Sequence, residues 1–128
     1  MSAKVVEKMR SECAKYPTVE TGGLLLGVSS ERCRTVTVVD LLDAPPDSVR
    51  SATEFRLGTK GLRQAIADRF DRSGMTIFDV GTWHSHLSDS GPSFTDRKTA
   101  AQLAAERPPP SALLIVCPTR YYGLMHRR

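Results

Sequence analysis

Two histidines one residue apart, His84 and His86, close the apolar run "MTIFDVGTWHSH", and Asp96 follows ten residues after the second. If the run is a strand, both imidazoles project from one side, about 7 Å apart along the backbone. Two such ligands can share a tetrahedral ion, whose bonds to nitrogen are about 2.0–2.1 Å. Asp96 sits in the first turn of the helix that "TDRKTAAQLAAER" predicts over 95–107, placed to give a carboxylate as third ligand. Two histidines and one carboxylate leave the fourth position to water, the layout of a catalytic zinc site rather than a structural one.

The same residues have a plainer reading. A His-x-His pair on a strand also fits ordinary hydrogen-bonded or solvent-facing side chains. Ser93 and Asp96 match the S-x-x-D pattern of a capped helix start. The readings are compatible, because one turn can cap the helix and hold Ser93 and Asp96 toward the strand end. Glu20, in "VETGGLLLG", bears on the choice. A carboxylate before a glycine-flanked apolar strand is ordinarily a surface residue at a loop end. If that strand lies beside the 75–84 strand, Glu20 can reach the water at the open position. It would then act as general base, and afterwards as the acid that protonates a leaving amine.

The positioning elements follow from periodicity. Val6, Met9 and Cys13 predict a helix over 3–15, ended by Pro17. "GGLLLGV" (22–28) reads as a buried strand, "SSER" as a turn, and 33–44 as the second strand of an antiparallel hairpin. A loop, "PPDSVRS", leads to a short extended piece at 53–57. Leu62, Ala65, Ile66 and Phe70 then predict a helix over 59–70. The 75–84 run is apolar on both faces, as a central strand should be, and Trp83 faces the opposite side from His84, which favours core packing or shielding of the site over substrate stacking. After the 95–107 helix, 111–118 reads as a buried strand and 120–126 as a last, edge strand. The expected architecture is α/β: a mixed sheet with about three helices, in a single domain over 1–128.

With 128 residues, 40% hydrophobic and 25% charged, the chain can bury a core without disulfide support. Its net charge of +4 comes from 13 Arg and 5 Lys spread along the sequence, which favours a solvated surface over a nucleic-acid patch. No apolar run approaches the ~20 residues that cross a bilayer and no signal-peptide core begins the chain, so we expect a cytoplasmic protein without membrane partners. Cys13, Cys33 and Cys117 are scattered and odd in number, consistent with free thiols in a reducing compartment. Cys33 and Cys117 have no His nearby in sequence, so a thiol nucleophile is not expected. "GGLLLG" lacks the Lys-Ser/Thr and the following helix of a phosphate loop.

Glu20, then His84-Ser85-His86, then Ser93-Phe94-Thr95-Asp96 resembles the signature of the JAMM (MPN+) zinc metalloproteases, in its bacterial form. The likeness runs from about Glu20 to Cys117, since "ETGGLLLG" and "GTWHSH" resemble the family's two central strands. It implies an MPN domain of cytidine-deaminase-like fold, with a mostly antiparallel sheet. It further implies Zn2+ held by His84, His86 and Asp96, proton transfer by Glu20, and stabilisation of the oxyanion by Ser93. The implied reaction is hydrolysis of the peptide or isopeptide bond after the C-terminal tail of a ubiquitin-like protein, with the tail bound as an added strand. The implied partners are that modifier and, in an antiviral operon, activating (E1-like) and conjugating (E2-like) enzymes. A JAMM peptidase acting on a sulfur-carrier protein would use the same chemistry. A non-catalytic MPN scaffold typically loses the ligands, which this chain keeps.

Two features depart from the family pattern. Leu87 stands where the family usually has Pro, and the His86-to-Ser93 spacing is one residue shorter than in eukaryotic members. One residue of chain spans up to ~3.5 Å, and Gly91 and Pro92 could supply the tighter turn. The family's linkage-selective members carry long insertions near the site. Here 87–93 is short and 43–53 is the other candidate, so we expect recognition of one tail with little regard for what is attached.

Overall fold

Helix α1 (Ala3–Lys15) starts at Ser2, whose hydroxyl accepts a hydrogen bond from the Val5 amide. The computed structural model describes residues 2–30, 32–91 and 111–126. Strands β1 (Gly22–Ser30) and β2 (Thr35–Asp43) form the expected hairpin. Two short strands, β3 (Val49–Arg50) and β4 (Phe55–Arg56), pair with each other. Helix α2 (Leu62–Arg72), β5 (Phe78–Ser85), β6 (Ser111–Val116) and β7 (Tyr121–His126) complete the order. The five long strands make one mixed sheet, β2-β1-β5-β6-β7, in which only β5 and β6 run parallel. The α/β class, the central place of β5 and the edge place of β7 agree with the sequence reading. The 95–107 helix lies outside the described residues.

Three details differ from the periodicity. Helix α1 buries Val5 and Met9, while Val6 is half-buried and Cys13 packs at the margin of the core. Val5 and Met9 are four residues apart and share the sheet-facing side, and Val6 is turned ~100° away from it. Strand β5 starts at Phe78 rather than 75, because Gly74 and Met75 both take positive φ in a turn. Ser73 closes that turn by accepting the Ile77 amide at 2.9 Å. The stretch read as the loop "PPDSVRS" contains β3, too short for any period to reveal.

The core on the α1 side joins Val5 and Met9 to Leu25, Val38, Val80, Trp83 and Val116. Val80 and Trp83 are three apart on one strand, an interval that strict alternation places on opposite faces. A bulge resolves this. Leu25 pairs with Gly81 and Leu26 with Asp79, so Val80 is the extra residue and the alternation resets there. Gly81 sits in the reset with φ 154°, and a Cβ on it would lie 1.8 Å from the Ala112 carbonyl oxygen. Gly81→Ala should therefore cost about 3 kcal/mol in denaturant unfolding, from strain and displacement of β6.

Asp40 joins three elements. It accepts hydrogen bonds from Lys8 of α1 and Arg69 of α2, each at 2.5 Å, and from the Leu41 amide at 2.8 Å. Burial pushes its carboxyl up, but the bonds from Lys8 and Arg69 outweigh it and hold the group well below the usual carboxylate range. A depressed folded-state value means stability that is complete above the unfolded value, about 3.9, and is lost as pH falls below it. Asp40→Asn should lower unfolding free energy by about 1–2 kcal/mol at neutral pH. The gap should shrink as pH drops below about 4; a gap that is constant from pH 7 to pH 3 would contradict this account. Among the described residues, no helix is long and apolar enough to cross a membrane.

Candidate metal centre

The site lies where β1 and β5 meet. The two strands are antiparallel, with Gly22 opposite His84 and Gly23 opposite Trp83. Continuing that register past the strand ends sets Thr21 against Ser85 and Glu20 against His86. Backbone and side chain both enforce it: the Ser85 amide donates to the Thr21 carbonyl at 2.7 Å, and the Thr21 amide donates to the Ser85 hydroxyl at 2.9 Å. Gly22 permits the close approach, since a Cβ there would fall 2.2 Å from the Trp83 carbonyl oxygen.

Glu20, His84 and His86 converge as a result. Each offers a ligand atom, and these atoms all lie within 4.8 Å of one another. The imidazoles are 5.3 Å apart between centroids and tilted by 45°, so they stand side by side instead of stacking. Glu20 and His84 are buried and His86 half-buried. His84 lies in register with Gly22 on one neighbour and Ile115 on the other, so its backbone is fixed from both sides. Trp83 points the other way and is 2% exposed in the α1-side core, as the alternation requires.

Glu20 is held from outside the sheet as well. Its amide donates to the Ser51 carbonyl at 2.7 Å, just past β3. Arg50 donates to the Thr21 hydroxyl at 3.0 Å while its guanidinium lies over the Tyr16 ring, 4.2 Å from the centroid. The 43–53 stretch therefore buttresses the carboxylate segment.

His86 Nδ1 lies 3.0 Å from the Ser90 carbonyl oxygen. The Ser90 hydroxyl also lies 3.3 Å from Nδ1; a hydrogen on Nδ1 would satisfy the carbonyl, which only accepts, and would leave the lone pair on Nε2. A backbone carbonyl on the second nitrogen is a common support for a metal-binding histidine. Two imidazoles and a carboxylate suit a divalent transition metal, which takes nitrogen and oxygen donors together. Ser93 and Asp96, the other residues expected in the site, lie outside the described residues.

The sequence reading did not single out Thr21, Arg50, Ser85 or Ser90. For Ser85, the central place in His-Ser-His was a usable signal. All three cysteines are free thiols. Cys13 is a poor thiolate: burial pushes its thiol up, against a smaller opposing pull from Arg10.

The sequence matches the family of prokaryotic homologues of the JAB domain over residues 2–126, and the chain belongs to that family. A protein of Enterobacter hormaechei subsp. hoffmannii named CD-NTase/cGAS isopeptidase is 37% identical over 106 residues, covering 82% of this chain and 57% of that protein. An Escherichia coli protein of the same name is 33% identical over 87 residues, covering 66% of this chain and 53% of that one. The chain thus spans little more than half the length of these isopeptidases. The probable metalloprotease y4qB of Sinorhizobium fredii is 26% identical over 136 residues, covering 97% of this chain and 82% of its own length. The solution structure of protein DSY2949 from Desulfitobacterium hafniense superposes with a TM-score of 0.64 at 20% identity, covering 99% of this chain and 83% of that one. That likeness establishes the fold.

Proposed function

We propose that this protein is a zinc-dependent isopeptidase or peptidase that hydrolyses the amide bond after the C-terminal tail of a ubiquitin-like protein. The convergence of Glu20, His84 and His86 at the joined ends of β1 and β5 carries the reading, in a chain of the JAB-domain family. The names of the two isopeptidase relatives support an isopeptide bond as target and a CD-NTase/cGAS protein as the attached partner. E1-like and E2-like enzymes of the same operon would make that bond.

In this reading His84, His86 and Asp96 hold the zinc. When bound, the metal supplies a Lewis acid that lowers the pKa of water and polarises the scissile carbonyl. Glu20 takes the proton from the attacking water and delivers it to the leaving amine. Ser93 donates to the oxyanion that develops on the carbonyl. Burial keeps bulk water from Glu20 and strengthens its interactions there. The modifier's tail would be held extended by main-chain hydrogen bonds from a nearby strand. The 43–53 stretch, which supports Glu20 through Ser51, would be the segment to read it.

The test uses purified protein and the ubiquitin-like protein from its own genomic neighbourhood, fused at the C-terminus to a reporter. Metal analysis should give close to one zinc per chain, and cleavage after the tail should stop with chelator and return with added zinc. A protein that carries no metal and cuts no such fusion would leave the scaffold reading in its place.

A further inference from the structure

We propose that Asp89 is a positioning residue for His86, acting through a carboxylate staple to Thr119 that fixes the loop beginning at His86; its metal arm rests on the reading above. His86 lies just beyond β5, and its amide donates to the Val116 carbonyl at 2.9 Å. The ring is oriented by Ser90, four residues on in an exposed turn, whose carbonyl and hydroxyl oxygens lie 3.0 and 3.3 Å from Nδ1. That carbonyl also accepts the Cys117 thiol at 3.4 Å. A carbonyl in a surface loop orients a ring only if the loop is itself held. Leu87, a large apolar side chain directly after His86, is 41% exposed and does not anchor it.

Asp89 supplies the anchor. One carboxylate oxygen accepts the Thr119 amide at 3.0 Å and the other accepts the Thr119 hydroxyl, so a single side chain clamps the turn between β6 and β7 at two points. The hydroxyl bond, then the amide bond, holds the Asp89 carboxyl below its ordinary range, so it stays ionised at neutral pH. The receiving turn is itself tied down by hydrogen bonds. Cys117 donates its amide to the Arg120 carbonyl at 2.7 Å, and Arg10 of α1 donates to the carbonyls of Cys117 and Pro118. A continuous path therefore runs from α1 through the β6–β7 turn and Asp89 to Ser90, and so to the imidazole. Without the staple the Ser90 carbonyl can move off Nδ1, freeing the ring to change tautomer and direction.

The experiment compares wild type with Asp89→Ala, Asp89→Asn, Thr119→Val and the Asp89→Ala/Thr119→Val double variant. Asp89 and Thr119 are exposed, so melting temperature should hold within a few degrees and report folding. Zinc affinity, measured by competition with a chromophoric chelator, should fall about tenfold in Asp89→Ala and less in Asp89→Asn, which keeps an acceptor for the Thr119 amide. The double variant should be no weaker than Asp89→Ala alone, because both changes cut the same link. In metal-free protein, the ring nitrogen NMR shifts of His86 should report a hydrogen fixed on Nδ1 in wild type and a tautomer mixture in Asp89→Ala. Wild-type zinc affinity together with an unchanged tautomer in folded Asp89→Ala would overturn the proposal. A wild type that binds no zinc yet shows the tautomer shift would overturn the metal reading and leave the staple standing.

Discussion

Glu20→Gln should slow cleavage by about a thousandfold while the protein keeps its metal. General base catalysis typically contributes 10²–10⁴-fold, and Gln preserves size and burial while removing the proton acceptor. Glu20 is only 7% exposed, and its backbone is held by the Ser51 carbonyl on one side and by the Thr21–Ser85 pair on the other. A substitution that changes charge and little else should therefore leave the carboxamide where the carboxylate was. Glu20 also lies within the same cluster of potential ligand atoms as both histidines, so the geometry allows a second role as a ligand. The two roles separate cleanly. A base lost from turnover leaves zinc content near one per chain and substrate affinity unchanged, whereas a lost ligand lowers zinc content in proportion to activity. Turnover within about tenfold of wild type would remove Glu20 from proton transfer altogether.

What the sequence made legible was chemistry and element type; what it hid was the fastening. His84 and His86 are two apart, so alternation alone puts them on one face. The glycine-flanked apolar run 22–28 could hardly be anything but a buried strand. The adjacency of β1 and β5 was a condition in the argument for Glu20, since strand order is set by long-range pairing that no local pattern encodes. The bulge at Val80 was likewise invisible, because a reset of alternation in a strand apolar on both faces changes no visible period. The support of Glu20 by the 43–53 stretch escaped for another reason. A two-residue strand and a carbonyl acceptor carry no residue-type signature, as any residue at position 51 could offer the same oxygen. Asp89 and Thr119 are thirty residues apart, and each is an ordinary turn residue by type; only the fold brings them together.

The segment directly after His86 also acquires a physical account. A proline would restrict the backbone directly after the second histidine. With Leu87 there instead, the restraint comes from farther along, through Asp89 and Ser90.

Removing a metal ligand should have the other large effect, and the comparison of two ligands is what gives it force. His84→Ala should purify with little or no zinc and show no cleavage above background. The residue is 8% exposed and in register with Gly22 and Ile115, so its removal takes a fixed imidazole donor from the site. Because a buried deletion also costs stability, of order 1–3 kcal/mol, chelated wild-type protein is the proper reference. It should match the variant in activity, keep its melting behaviour apart from the contribution of bound metal, and recover on adding zinc, which His84→Ala should not. Asp96→Ala then tests the third ligand. If Asp96 completes the set, its loss should lower zinc affinity as steeply as the loss of His84, since either change leaves a two-ligand site. If zinc binds Asp96→Ala as tightly as wild type, the carboxylate at the site is Glu20's. Glu20 would then be a ligand instead of the base, and Glu20→Gln should empty the site.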